Sequence, residues 1–246
     1  MDCYRVPGVA DKSAFSATFE SSSGAPIAGG RFGYVDAQGT GAINSQFNSS
    51  GAPNSVVHLA VGQWLVRMPA LGTLGPLDGS VQVTGVSVLT AVRCKVAKWA
   101  SDPNQQQILV YCRDAAGAFV DTRFTATFQY QRSLIGSAFP PNHFGYVLSG
   151  PPLGPPTTNF NSVLGFGANS VTAAGAGLWL VQFPRLGTLP DDVQVTAFGP
   201  GAEFCGMLTP WTHLGADTVV RDVNCFLPSG APAPGAGFTA SDNSVL

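Results

Sequence analysis

The residues of this chain with chemistry to offer are few, and their spacing is the first thing to test. There are three histidines, His58, His143 and His213. A nucleophilic triad needs a hydroxyl or thiol, an imidazole and an orienting carboxylate, and no spacing here announces one. The chain has no Gly-x-Ser-x-Gly elbow, no His-Glu-x-x-His pair, no phosphate-cradling Gly-Lys-Ser/Thr loop and no calcium-loop pattern. Two carboxylates can hydrolyse a glycosidic bond. Asp11 and Asp121 fall at similar distances after their cysteines, but Asp114, Asp191, Asp192 and Asp217 lie where turns are expected, and Asp in a turn usually serves the turn. No cofactor and no metal site is predicted, since neither Cys-x-x-Cys nor a His spacing accompanies the cysteines.

The aromatic residues are more suggestive. In Arg93-Cys94-Lys95-Val96-Ala97-Lys98-Trp99, strict alternation sets Arg93, Lys95, Ala97 and Trp99 opposite Cys94 and Val96. With Cys94 inward, Trp99 is expected to be exposed beside cationic groups. Trp211 is its counterpart and is followed by His213. Exposed tryptophans are platforms for sugar rings or a partner protein, so Trp99 and Trp211 are the leading ligand-binding candidates. Tyr34 and Tyr146 form a second pair. The competing role for Trp99 is to cover a disulfide or to pack between domains.

The cysteines supply that disulfide. Cys94 and Cys112 are 18 residues apart, and Cys205 and Cys225 are 20 apart in equivalent places. Each pair brackets strand, turn and strand, and neighbouring antiparallel strands bring two Cα atoms within disulfide reach. Cys94–Cys112 and Cys205–Cys225 are the predicted bonds. Cys3 is left over, either as the stub of a preceding repeat, as a free thiol or as an intermolecular link.

These residues must be positioned by a chain that repeats itself. Trp64 to Leu74, WLVRMPALGTL, returns as WLVQFPRLGTL at Trp179 to Leu189, identical at eight of eleven positions. Phe32-Gly33-Tyr34-Val35 returns at Phe144 to Val147, Phe47-Asn48-Ser49 at Phe160 to Ser162, and Val81-Gln82-Val83-Thr84 at Val193 to Thr196. The offset stays between 112 and 115 residues, which is domain size rather than solenoid size. We expect two tandem copies, over 1–115 and 116–246. A third, partial copy starts with Phe15-Ser16-Ala17, matching Phe124-Thr125-Ala126 and Phe238-Thr239-Ala240. The last of these is expected to close the second domain.

Within the first copy, strands are expected near Ala14–Glu20, Arg31–Asp36, Ala42–Phe47, Ser55–Ala60, Gln63–Met68, Ser80–Val88, Arg93–Trp99 and Gln107–Tyr111. Turn-forming runs rich in Gly, Pro and Asp separate them. The predicted fold is all-β, with two duplicated antiparallel β-sandwich or barrel-like domains. Trp64, Val66 and Met68 share one face of their strand, as do Trp179, Val181 and Phe183, and both sets should be core.

Composition narrows the function. Charged residues make up only 11% of the chain, Glu occurs twice and Lys three times, which excludes amphipathic helices. The net charge of -2 and the lack of a basic stripe argue against nucleic acid. Every apolar run is broken before 18 residues, so no span of a membrane is expected. The N-terminus, MDCYRVPGVADK, lacks the basic and apolar segments of a signal peptide. The disulfides nevertheless favour an extracellular protein in a form without its leader.

The FGYV segment, the Gly-x-Trp-Leu-Val-x-x-Pro-x-Leu-Gly strand and turn, the VQVT strand, and Cys-x(4 or 5)-Trp followed by Asp114 to Gly117 together resemble the tandem β-repeats of uncharacterised secreted proteins from actinobacteria and related bacteria. The resemblance covers most of the chain and implies an exported β-repeat protein, without an activity. Three functions are compatible with these observations. The foremost is non-catalytic binding or structural work outside the cell, with a polysaccharide or protein surface as partner. The others are a hydrolase with its site in the interdomain cleft, and a self-assembling subunit whose open β edges recruit another chain.

Overall fold

The computed structural model describes residues 3–5, 9–11, 30–132, 143–150 and 156–244. The strand expected at Ala14–Glu20, with its Phe15-Ser16-Ala17 repeat, lies outside the described residues. Among the described residues there is no helix. A short hairpin comes first, β1 (Cys3–Arg5) with β2 (Val9–Asp11). Eight strands follow: β3 (Arg31–Ala37), β4 (Ile43–Asn48), β5 (Ser55–Ala60), β6 (Gln63–Pro69), β7 (Ser80–Val86), β8 (Val92–Asp102), β9 (Gln105–Asp114) and β10 (Arg123–Tyr130). Then come β11 (Phe144–Ser149), β12 (Thr158–Asn161), β13 (Gly165–Phe166), β14 (Ser170–Gly175), β15 (Leu178–Phe183), β16 (Asp191–Phe198), β17 (Phe204–Met207), β18 (Thr212–Leu214), β19 (Asp217–Phe226) and β20 (Gly237–Ser244).

The first set forms two open layers, β4-β3-β10-β7 and β8-β9-β6-β5, and the second repeats the order as β12-β11-β20-β16 and β14-β15-β19-β17. These are sandwich layers and not closed barrels. The sequence places Arg123–Tyr130 beyond residue 115, at the head of the second copy. Its hydrogen bonds go elsewhere: β10 is paired on one side with β3 and on the other with β7. β20 sits in the same way between β11 and β16.

The cores follow from alternation. Trp64, Val66 and Met68 from β6 face Val81, Val83, Phe124, Ala126 and Phe128 of the opposite layer, all buried. Trp179, Val181 and Phe183 face Val193, Phe238 and Ala240. The same aromatic pair anchors each, Trp64 with Phe124 at 5.9 Å and Trp179 with Phe238 at 5.5 Å. Burying such a ring contributes a few kcal/mol, roughly in proportion to apolar area.

The two sets meet along one line. β8 and β16 run parallel and share a single bridge, Val96 with Phe198, which joins their layers into one nine-stranded sheet. Leu148 and Phe198 of the second set pack into the first core, and polar contacts accompany them. Ser80 and Thr239 hydroxyls lie 3.0 Å apart, Thr196 donates to Gln82 Oε1 at 2.6 Å, and the Val83 amide donates to Thr196.

Candidate functional site

The repeated motifs are accounted for by folding. Asn48 donates to Asn54 Oδ1 and to the Pro69 carbonyl, while Asn54 donates to the carbonyls of Tyr34 and Phe47. Asn161 and Asn169 make the matching bonds to each other, to Pro184 and to Phe160. The serine that follows accepts the amide at the start of FGYV, Phe32 to Ser49 and Phe144 to Ser162. The glycine of FGYV leaves room for the leucine of the turn: a Cβ on Gly33 would come within 2.8 Å of Leu71, and one on Gly145 within 2.8 Å of Leu186. Residues shared by the two sets therefore hold the sandwich together. Recognition has to be sought where they differ.

The platform expected at Trp99 is not there. Trp99 is 1% exposed, packed in the first core with its ring edge-on to Phe198 at 5.2 Å. The cause is a β-bulge. The register of β8 on β9 shifts between Val96 and Lys98, so Ala97 is the extra residue and Lys98, not Trp99, points outward. One inserted residue reverses the alternation beyond it. Trp211 is half-buried against the second core and its indole N–H donates to Asp191. Tyr146 is buried, its hydroxyl accepting the Gln131 amide, and burial pushes that hydroxyl upward in pKa. Tyr34 is half-buried and stacks on Phe47. Trp99 and Tyr146 are thus withdrawn from solvent, while Trp211 and Tyr34 keep part of their surface exposed.

The disulfides form as expected, Cys94–Cys112 and Cys205–Cys225. Each joins residues directly opposite on neighbouring strands. The amides of Cys112 and Cys225 donate away from their partners, to Gly62 and Gly177. These are thus the non-hydrogen-bonded pairs, in which strands approach closest.

A groove of about 220 Å³ opens beside these disulfides, between the two sets. Its first wall is the outer face of β8 and β9, which carries Arg93, Lys95, Arg113 and Asp114. Its second wall is β16, the loop at Ala202 and Glu203, and β17. Lys95 is 5% exposed and donates to Glu203 at 3.2 Å and to the Gly201 carbonyl at 3.3 Å. Burial lowers its pKa, Glu203 opposes that shift, and the charge of Arg113 adds to it. Burial pushes Glu203 up, but its hydrogen bonding and the charges of Lys95 and Arg113 bring it below the ordinary carboxylate range. Arg93 lies over the Phe204 ring at 3.9 Å, and burial lowers its pKa against the pull of Asp114. Arg113 lies over Phe119 at 3.7 Å and donates to the carbonyls of Gly117 and Pro200. Its Nε is buried with no hydrogen-bond partner. Sequence alternation places Arg93 and Lys95 on one face, but it does not reveal that Arg113 joins them.

A second polar cluster sits at the end of the second sandwich. The Asp191 side chain is 2% exposed and accepts from Trp211 Nε1, from His213 Nε2 at 3.0 Å and from Thr218 Oγ1 at 2.7 Å. Beside it Asp242 is fully buried. Burial, with the charges of Asp191 and Asp192 behind it, raises the Asp242 carboxyl well above the ordinary range. The other histidines stand apart. His58 pairs with Asp121 at 3.0 Å over the Trp64 ring, and His143 shares a 2.8 Å contact with Thr188. Of the hydroxyls at these imidazoles or their carboxylates, Thr218 is wholly buried, and His143 has no carboxylate among its described partners. No cluster that could hold a metal ion occurs among the described residues.

Comparison with protein-family models, with curated proteins and with solved structures finds no match for this chain. The chemistry of these two clusters is therefore what bears on function.

Proposed function

We propose that this chain is an extracellular, non-catalytic binding protein built from two duplicated, disulfide-stapled β units, with a polysaccharide or protein surface as its partner class. The groove between the two sets carries this reading. It is walled by charged side chains from both, and no nucleophile-and-base pair faces it. Two cross-strand disulfides suit an oxidising compartment, and no helix among the described residues is long and apolar enough to cross a membrane. The resemblance to repeats of secreted actinobacterial proteins points the same way.

The hydrolase alternative rests on His213 and Asp191, which form a close imidazole–carboxylate pair. The hydroxyl bonded to this pair, Thr218, is buried and already donates to Asp191. A glycan array and protein pull-downs, run beside a panel of glycoside, ester and peptide substrates, separate the two. Binding without turnover is the expected result. Turnover that disappears in His213→Ala or Asp191→Asn would replace this reading with the enzymatic one.

A further inference from the structure

We propose that the groove is an oxyanion site, which takes one carboxylate, sulfate or phosphate group between Arg93, Lys95 and Arg113. The inference rests on the binding role proposed above and names the chemistry it would serve.

The first observation is a pair of like charges. Arg93 and Arg113 are directly opposite each other on β8 and β9. Like charges in that relation destabilise a sheet. The second set shows that the fold does not ask for them. There the residues flanking the disulfide in the same register are Phe204 and Phe226, also directly opposite, with their rings 5.7 Å apart. At the same two positions one set carries an aromatic pair and the other carries two guanidinium groups.

The second observation is an unmet charge. Three cations line the groove against two carboxylates, Asp114 and Glu203. Glu203 is engaged by Lys95, and Asp114 accepts the Ala118 amide. Arg113 spends its terminal nitrogens on backbone carbonyls and leaves Nε buried without a partner. It also lowers the Lys95 pKa by repulsion. A bound oxyanion would accept charge-assisted hydrogen bonds from the cations of the groove and remove the repulsion between them. The aromatic rings beneath Arg93 and Arg113 fix the guanidinium planes. The volume admits a small acid or one acidic residue of a chain.

The test is calorimetric titration of the wild-type protein and of Arg93→Phe/Arg113→Phe, which copies the second set. The probes are sodium sulfate, sodium phosphate, galacturonate and, as the uncharged control, galactose. The double variant should fold, since Phe204 and Phe226 occupy the same register in the second set. If it does not fold, Arg93→Gln/Arg113→Gln takes its place. Wild type should bind at least one anion, with at least tenfold loss in the variant, weakening as salt rises. Galacturonate with no sulfate binding would mark a carboxylate, and the reverse a tetrahedral anion; either supports the site. If no anion binds, or affinity is equal in wild type and variant, the inference is overturned. Binding of galactose alone, unchanged in the variant, would overturn it while leaving the binding role standing. Turnover of an acidic substrate whose binding needs the arginines would end the non-catalytic role and leave the anion site.

Discussion

Asp242 makes the structure testable by pH. Its counterpart is Phe128, since Phe128 lies opposite Val81 and Gly33 in one set and Asp242 lies opposite Val193 and Gly145 in the other. A core phenyl ring in the first sandwich thus becomes a carboxyl in the second. That carboxyl is wholly buried, and burial disfavours its charged form. Its pKa is raised in the folded state by burial and by Asp191, so the folded protein keeps a proton that the unfolded chain has lost. The consequence has a definite sign. The stability that Asp242 contributes is fully present below the ordinary carboxylate range and falls as pH rises from there toward the folded pKa. While the group stays protonated in the fold, the slope is about 1.4 kcal/mol per pH unit. Asp242→Asn keeps the shape and removes the titration. Urea unfolding of both proteins at pH 5.0 and pH 6.0, with disulfides intact, reports this carboxyl together with its coupling to Asp191 and Asp192. Between those values wild type should lose stability relative to the variant, by at most about 1.4 kcal/mol. A difference between the two that does not change with pH would refute the assignment of a neutral buried carboxyl, and a difference of opposite sign would mean that Asp242 is ionised and paired.

Two further outcomes follow from the packing. Trp99→Ala should lower stability by about 3–5 kcal/mol, as expected for emptying a core tryptophan site; a thermal melt within a degree or two of wild type would return Trp99 to the surface. Cys94→Ala/Cys112→Ala should cost roughly 3 kcal/mol by freeing a loop of this length in the unfolded chain, and peptide mapping without reductant should recover Cys94 with Cys112 and Cys205 with Cys225. Any other pairing would contradict the strand register.

Much of the architecture could be read from residues alone. Ser55–Ala60 is predicted and found with the same bounds, because Gly and Pro turn signals frame a short run that contains two valines. The two disulfides were legible because their offsets recur. The bulge at Ala97 was not: a single inserted residue has no signature in a run as plain as Lys-Val-Ala-Lys, so alternation carried Trp99 to the wrong face. The place of β10 is hidden for another reason. The cysteines mark where β9 ends, but β10 completes its layer by long-range pairing that no local pattern reveals. The groove and the acid pair were visible only in part. Laying the copies side by side shows Arg93 and Arg113 against Phe204 and Phe226, and Asp242 against Phe128. That these positions face each other across strands, and that Asp242 is sealed from water, depends on register and on the opposing layer.

The place of β10 and β20 has a consequence in time. In each set the strand that occupies an interior position of its layer is the last of that set to leave the ribosome or an export channel. Tyr130 must find Arg31, and Asn243 must find Phe144, each across 99 residues of chain. Until that strand arrives, β3 and β7, or β11 and β16, have no neighbour between them, and a sandwich layer stands split. Closing so long a loop is slow, because the entropy is spent before any contact repays it. Neither set can be finished before its own last strand has emerged. The first set can therefore close as soon as Tyr130 is free, while the second is still being made.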